Sequence, residues 1–217
     1  MPAQSHYGGY DLEPAYKLAR EQLADIEDIT QLCLTSSATC LDSRQGIAVQ
    51  YLNRWYRVTV PDVEVSLADS REDVPIRDKV LILHYLLSAK GTPIANRLVS
   101  FKELPGGGSY FPIFSKRVIE PLVEHFGERP RRLEEITGKL GGHTVAHGDM
   151  AVTVNAFSRV PVTIVLWQGD EEFPAQGNIL FDAAISGYLM TYDVTVLCES
   201  IIWKLVQFSR EGRESGR

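Results

Sequence analysis

The sequence predicts an α+β protein: an antiparallel β-sheet covered by three to five α-helices. Three observations carry that expectation. Residues 45–68 alternate apolar and polar side chains between short breaks, so Ile47, Val49 and Tyr51 share one face of a strand. Val160 to Trp167 is apolar on both faces, the pattern of a central strand. Helical stripes at 12–28, 75–88 and 193–209 supply amphipathic covers. The 217 residues suit one domain with a core at about 12–209.

Each element has its own local reason. In 12–28, Ala15, Leu18, Ala19, Leu23 and Ile26 fall on one helical face. In the meander, Asn53-Arg54 makes a two-residue turn, Trp55 to Val60 returns, Pro61-Asp62 breaks the run, and Val63 to Leu67 alternates again. Pro75 suits a first helical position, Glu72 or Asp73 can cap, Ile76, Val80, Leu83 and Leu87 form the stripe, and Gly91 suits the exit. Residues 92–114 read as irregular around Pro105-Gly106-Gly107-Gly108. Ser115 can cap a helix running to Phe126 despite Pro121, and a shorter helix follows over 130–140. Met150, Val152, Val154 and Ala156 alternate as a half-buried strand, and Ser158-Arg159 turns the chain into Val160. An acidic turn, Gln168 to Pro174, then leads through a second apolar segment to Asp182. Asp193 is the expected cap of the last helix, whose stripe is Val194, Leu197, Ile201 and Leu205.

Composition narrows the function classes. Net charge is −6, from 22 basic and 28 acidic residues, which argues against a nucleic-acid surface. The basic clusters Arg129 to Arg132 and Arg210 to Arg217 read as solvated helix ends. The longest apolar run falls short of the ~20 residues a bilayer span needs, and the N-terminus has no apolar core of a signal peptide. Three cysteines do not make a disulfide framework. The expectation is a cytoplasmic protein with reduced thiols, no membrane contact and no nucleic-acid partner.

Several residues invite chemistry, each beside a plainer alternative. Asp170, Glu171, Glu172 and Asp182 can hold a hard cation or do acid–base work, or the acids simply keep a hairpin loop soluble. His143 and His147 have i, i+4 spacing, but glycines flank them and there is no His-Glu-x-x-His, so loop and strand are favoured over a zinc helix. Either can still serve as a single axial ligand to a tetrapyrrole metal. His84 reads as a core-edge residue. Gly106, Gly107 and Gly108, flanked by Tyr110 and Phe111, lack a phosphate-loop pattern; they let backbone approach a ligand or neighbouring strand closely, or form a flexible turn. Cys198 reads as a small core residue.

Three blocks carry a family resemblance: Pro75 to Leu87, Ser100 to Pro112, and Val162 to Asp182. Together they resemble a prokaryotic family known as DUF3786, over about Tyr16 to Leu205. The resemblance implies an anaerobic setting, with some members similar to partners of, or fusions to, iron–sulfur modules, and hence one-carbon and corrinoid metabolism. It assigns no activity. The chain has no Cys-x-x-Cys, so no cluster is expected in it.

The first functional expectation is therefore a non-enzymatic protein binding a corrinoid, ahead of another tetrapyrrole such as haem. Its site would be Gly106, Gly107, Gly108, Tyr110, Phe111, His143, His147 and Asp182, with His143 or His147 as axial ligand. The second is an enzyme using Asp170, Glu171, Glu172 and Asp182 with His147. The third is an interaction subunit for an iron–sulfur or methyl-transfer partner. The first needs the glycine-rich, 143–149 and 168–174 loops to meet at one rim.

Overall fold

The computed structural model describes residues 11–41 and 46–214. Residue 45 of the expected meander, the N-terminal ten residues and the last three of the second basic cluster lie outside the described residues.

The fold is α+β, with antiparallel strands throughout. The strands form two sheets where one was expected. β1 (Thr39–Cys40), β2 (Ile47–Tyr51), β3 (Arg54–Val58) and β4 (Val65–Leu67) make a meander in that order. β5 (Leu98–Ser100), β6 (His143–Val145), β7 (Met150–Phe157), β8 (Val160–Trp167) and β9 (Gln176–Asp182) make the second sheet, ordered β5-β9-β8-β7-β6. Alternation reveals which face of a strand is buried but not which strand lies beside it. A backbone hydrogen bond from Leu52 N–H to Ala156 C=O, 2.9 Å, ties the two sheets. β8 lies at the centre of its sheet with both faces largely buried, as its unbroken apolar run requires.

The helices are α1 (Glu13–Ala24), α2 (Ile29–Ser36), α3 (Ile76–Ser88), α4 (Gly107–Phe114), α5 (Glu120–Phe126), α6 (Arg132–Thr137) and α7 (Thr191–Glu214). The first stripe ends early, because Asp28 accepts from Gln31 N–H and starts α2 as a separate helix. α1 buries Tyr16, Ala19 and Leu23 and leaves Leu18 exposed. α3 starts after Pro75 with no side-chain cap; Glu72 instead pairs with Arg54.

The glycine-rich stretch is helical, not irregular. α4 begins at Gly107 and continues through a π turn at Ser115–Ile119 into α5, so Ser115 lies inside a continuous helix. Pro121 contributes no N–H just beyond the wide turn. A Cβ at Gly107 would overlap the Phe101 carbonyl oxygen, so the helix start and the preceding turn touch backbone to backbone. Phe101 and Phe114 stack over this contact at 3.9 Å.

α1 packs along α3, α3 along α7, α5 over β9 and α6 over β7. The core joins where α3 meets both sheets: Tyr85 stacks on Phe157 at 4.0 Å, and Tyr51 lies 4.9 Å from the same ring. Val194, Leu197, Ile201 and Leu205 are buried, as their spacing predicts. The expectation of reduced thiols fails for two cysteines. Cys33 within α2 and Cys40 on β1 form a disulfide, because Ser37, at φ 54°, turns the chain back. Cys198 is buried, and burial pushes its thiol well above the usual range. No helix among the described residues is long and apolar enough to cross a membrane.

Candidate functional site

The polar chemistry of this molecule gathers on the seam between α3 and α7. Along it lie three knots of charge, in antiparallel register. At one end Asp78, 2% exposed, accepts through Oδ1 from the Tyr51 hydroxyl (3.2 Å) and Ser200 Oγ (3.3 Å), and through Oδ2 from Lys204 Nζ (3.0 Å). In the middle Glu199 receives Arg77 at 3.4 Å and Arg117, which projects from the π turn. At the other end His84 Nδ1 lies 2.8 Å from Asp193 Oδ1. Asp193 is therefore not a cap: α7 begins two residues earlier and the carboxylate is held by the His84 ring. His84 is half-buried at the core edge, as expected.

A cleft of about 290 Å³ opens over the first knot. Leu52, Leu67, Val74, Leu140 and Phe208 give apolar walls, and Tyr56 and the Asp78–Lys204 pair give the polar groups. The Arg54–Glu72 pair also lines it, as does Lys139, whose ammonium lies over the Phe208 ring at 4.7 Å. Burial and the nearby Asp78 charge push the Tyr56 hydroxyl up to about 12, and the same two causes raise Tyr51 well above its ordinary value. Both phenols are donors at neutral pH. Asp78 is occupied by three donors. Lys204, with its side chain 29% exposed, gives one of its three N–H bonds to Asp78 and has two more to offer. The cleft can thus hold an apolar body by its walls and an oxygen acceptor at its floor.

The residues singled out from sequence lie elsewhere, in separate places. Gly106, at φ 72°, and Gly107 start α4; Gly108 follows in the helix. Tyr110 is half-buried, edge-on to Tyr192, and Phe111 lies under the Lys102 ammonium at 4.2 Å. This group adjoins β5, at one edge of its sheet. His143 is exposed on β6, at the opposite edge, and His147 is exposed on the turn into β7. Four strand spacings separate those edges, about 19 Å. Asp182 is 3% exposed, and its Oδ1 accepts from Ala95 N–H and Ala184 N–H, both at 2.9 Å. It caps the 3-10 turn Ala183–Gly187 and ties it to the 95 loop.

Of the three loops expected at one rim, two meet. Gln168 N–H donates to Asp149 Oδ2 at 2.9 Å, joining the 143–149 and 168–174 turns. The glycine-rich segment lies at the far edge. Asp170 folds its own turn, accepting from Glu172 and Phe173 N–H, and those bonds hold its carboxyl below the usual range. Glu171 and Glu172 are exposed. Asp182 stands at the other end of β9, six residues or about 20 Å along the strand. Among the described residues no three His, Cys, Asp or Glu side chains gather as metal ligands.

The seam was missed because motif reading favours unusual local composition. A signal was present: Asp78 shares a helical face with Leu81, Ile82 and Tyr85, and Glu199 with Val196 and Ile202, so each puts a charge inside an apolar stripe.

A family model described as a domain of unknown function, DUF3786, matches residues 28–203, from the cap of α2 to one residue short of Lys204. No curated protein and no solved structure matches the chain. The matched span takes in both sheets, α3 and the first half of α7, and on it this protein belongs to the DUF3786 family.

Proposed function

We propose that this protein is a non-enzymatic small-molecule-binding protein whose ligand occupies the cleft over Asp78 and Lys204. The observation that carries the reading is the buried Asp78, which accepts from Tyr51, Ser200 and Lys204 at the floor of a cleft with apolar walls and a charged rim. Three donors on one carboxylate fix its orientation and that of the ammonium beside it. The ligand class that fits is an organic molecule with an apolar body and one carboxylate or carbonyl oxygen on Lys204. Hexanoate and benzoate are suitable probes, followed by amide chemical-shift titration of the full chain. The expected result is saturable shifts at Leu52, Lys204 and Phe208 that vanish in Lys204→Met. Shifts that do not saturate, or that persist unchanged in Lys204→Met, would overturn it.

One observation supports a second ligand, a corrinoid, at a different place. His147 is exposed at the joined turns, and the Trp167 ring, itself exposed, comes within 3.3 Å of where a Gly148 Cβ would stand. His147 would hold the metal of such a group, and the Trp167 indole would offer its ring an apolar surface. Neither Gly106–Gly108 nor Asp182 can reach it. Anaerobic titration with hydroxocobalamin tests this: a saturable visible-spectrum change lost in His147→Ala supports it. No change at about 50 μM protein, where a micromolar Kd saturates, eliminates it.

A further inference from the structure

We infer that the groove between α5 and the C-terminal part of α7 is a binding site for a phosphate group, either inorganic phosphate or a small phosphate monoester. The groove has a volume of about 480 Å³ and brings together Arg129, Arg132 and Arg210, side chains from two basic clusters that the sequence presents as unrelated helix ends. Arg132 is pinned: its Nη2 donates to the Ser209 carbonyl at 2.6 Å, and its Nε has no acceptor among the described residues. Arg129 and Arg210 are exposed. None of the three forms an ion pair with a carboxylate among the described residues, although Glu124 and Glu128 line the same groove. In a chain of net charge −6, three guanidiniums left without carboxylates around one concavity are a local excess of donors.

His125 completes the wall. Its Nδ1 lies 3.1 Å from the Pro121 carbonyl, which only accepts, so Nδ1 carries the hydrogen and Nε2 is the atom left to a ligand. The ring is set edge-on to Trp203 at 5.8 Å. Several forked donors on one small volume match a tetrahedral oxyanion, whose oxygens take bidentate contacts from more than one arginine; a lone carboxylate needs only one. Glu124 and Glu128 oppose a longer polyanion, so a small ligand is favoured over a nucleic-acid backbone.

The test is calorimetric titration of the full chain with inorganic phosphate, glycerol 3-phosphate and a single-stranded oligonucleotide, on the parent protein, Arg129→Ala/Arg210→Ala and Arg57→Ala. Arg129 and Arg210 are exposed, so their loss leaves the fold intact, and melting temperature checks this. Arg57 is an exposed arginine on β3, outside the groove. The expected result is saturable phosphate binding, weakened at least ~10-fold in the double variant and unchanged in Arg57→Ala. Tighter binding of the ester assigns an organic source, equal binding an inorganic one, and both support the site. Absence of heat up to about 10 mM phosphate, equal weakening in Arg57→Ala, or an oligonucleotide bound more tightly than either phosphate would overturn it. Lys204→Met does not touch this groove, so failure here and failure of the Asp78 cleft are separately visible.

Discussion

The α3–α7 seam and the joined turns at the end of the five-stranded sheet both concentrate charged residues, and they use them in opposite ways. In the seam, Asp78, Glu199 and Asp193 are buried, each held by a cation or imidazole from the facing helix. At the turns, Asp170, Glu171, Glu172, His143 and His147 face water, and Asp170 serves only its own backbone. A charge in water costs little to keep and little to lose. A buried charge is tolerable only with its partner, so deletion there leaves an uncompensated ion. The lesson is that a dense local motif marks the cheaper place for charge, while isolated charges in apolar stripes mark where the fold depends on them.

That contrast breaks first at Glu199. Glu199→Ala removes the buried carboxylate that Arg77 and Arg117 share, and urea denaturation is expected to show a loss of about 3–5 kcal/mol. A loss below about 1 kcal/mol would mean that the seam is as indifferent as the turns.

The next effect is alkaline. The folded Tyr56 titrates at about 12, raised from the ordinary 10 by burial and then by Asp78. A raised folded value means the contribution is fully present below pH 10 and is lost as pH climbs towards 12. At 1.36 kcal/mol per unit the difference of 12 − 10 amounts to roughly 3 kcal/mol. Tyr51, Tyr85 and Tyr188 are raised too, chiefly by burial. Tyrosinate absorbance at 295 nm should therefore rise in two steps, the exposed phenols first and the buried ones together with loss of the fold. One step near pH 10 with the fold retained would contradict the buried cleft floor.

The three consecutive glycines sharpen the comparison. Gly107→Ala forces its Cβ into the Phe101 carbonyl and should cost about 1–3 kcal/mol. Gly108→Ala meets only the Lys102 carbonyl oxygen, at an ordinary contact distance of 3.9 Å, and should be neutral or stabilising by up to about 1 kcal/mol. Equal thermal shifts for the two would argue against the backbone contact. Asp182→Ala removes an acceptor for two N–H groups and should cost about 1–2 kcal/mol, whereas Asp182→Asn keeps an oxygen there and should cost less. Smallest of all, Glu172→Ala and His143→Ala should stay within about 0.5 kcal/mol of the parent in the same denaturation assay.

Much of the secondary structure was legible. The stripes of α3 and α7 and the strand β7 follow from period, β8 from its unbroken apolar run, and the meander turn at Leu52-Asn53 lies beside the expected Asn53-Arg54. Two helices were not. α2 is eight residues with a mixed face, and α4 opens on glycines and contains Pro112, all of which local propensity counts against a helix. Tertiary packing over Phe101 overrides it. The site was less legible than the fold, since a partner on another element has no trace in local sequence: nothing near Asp78 announces Lys204, 126 residues away.

What the sequence by itself determined is the α+β class, the faces of its longest elements and the family, because periodicity and block similarity are properties of the chain. What only the tertiary structure decided is how strands divide into two sheets, that Cys33 meets Cys40, that Asp182 is a cap, and that the charges of α3 and α7 close on one another beneath a cleft. The physical reason is range. Hydrophobic period acts within a few residues and needs no partner, whereas a buried charge or a sheet neighbour is specified only by what arrives from elsewhere in the chain.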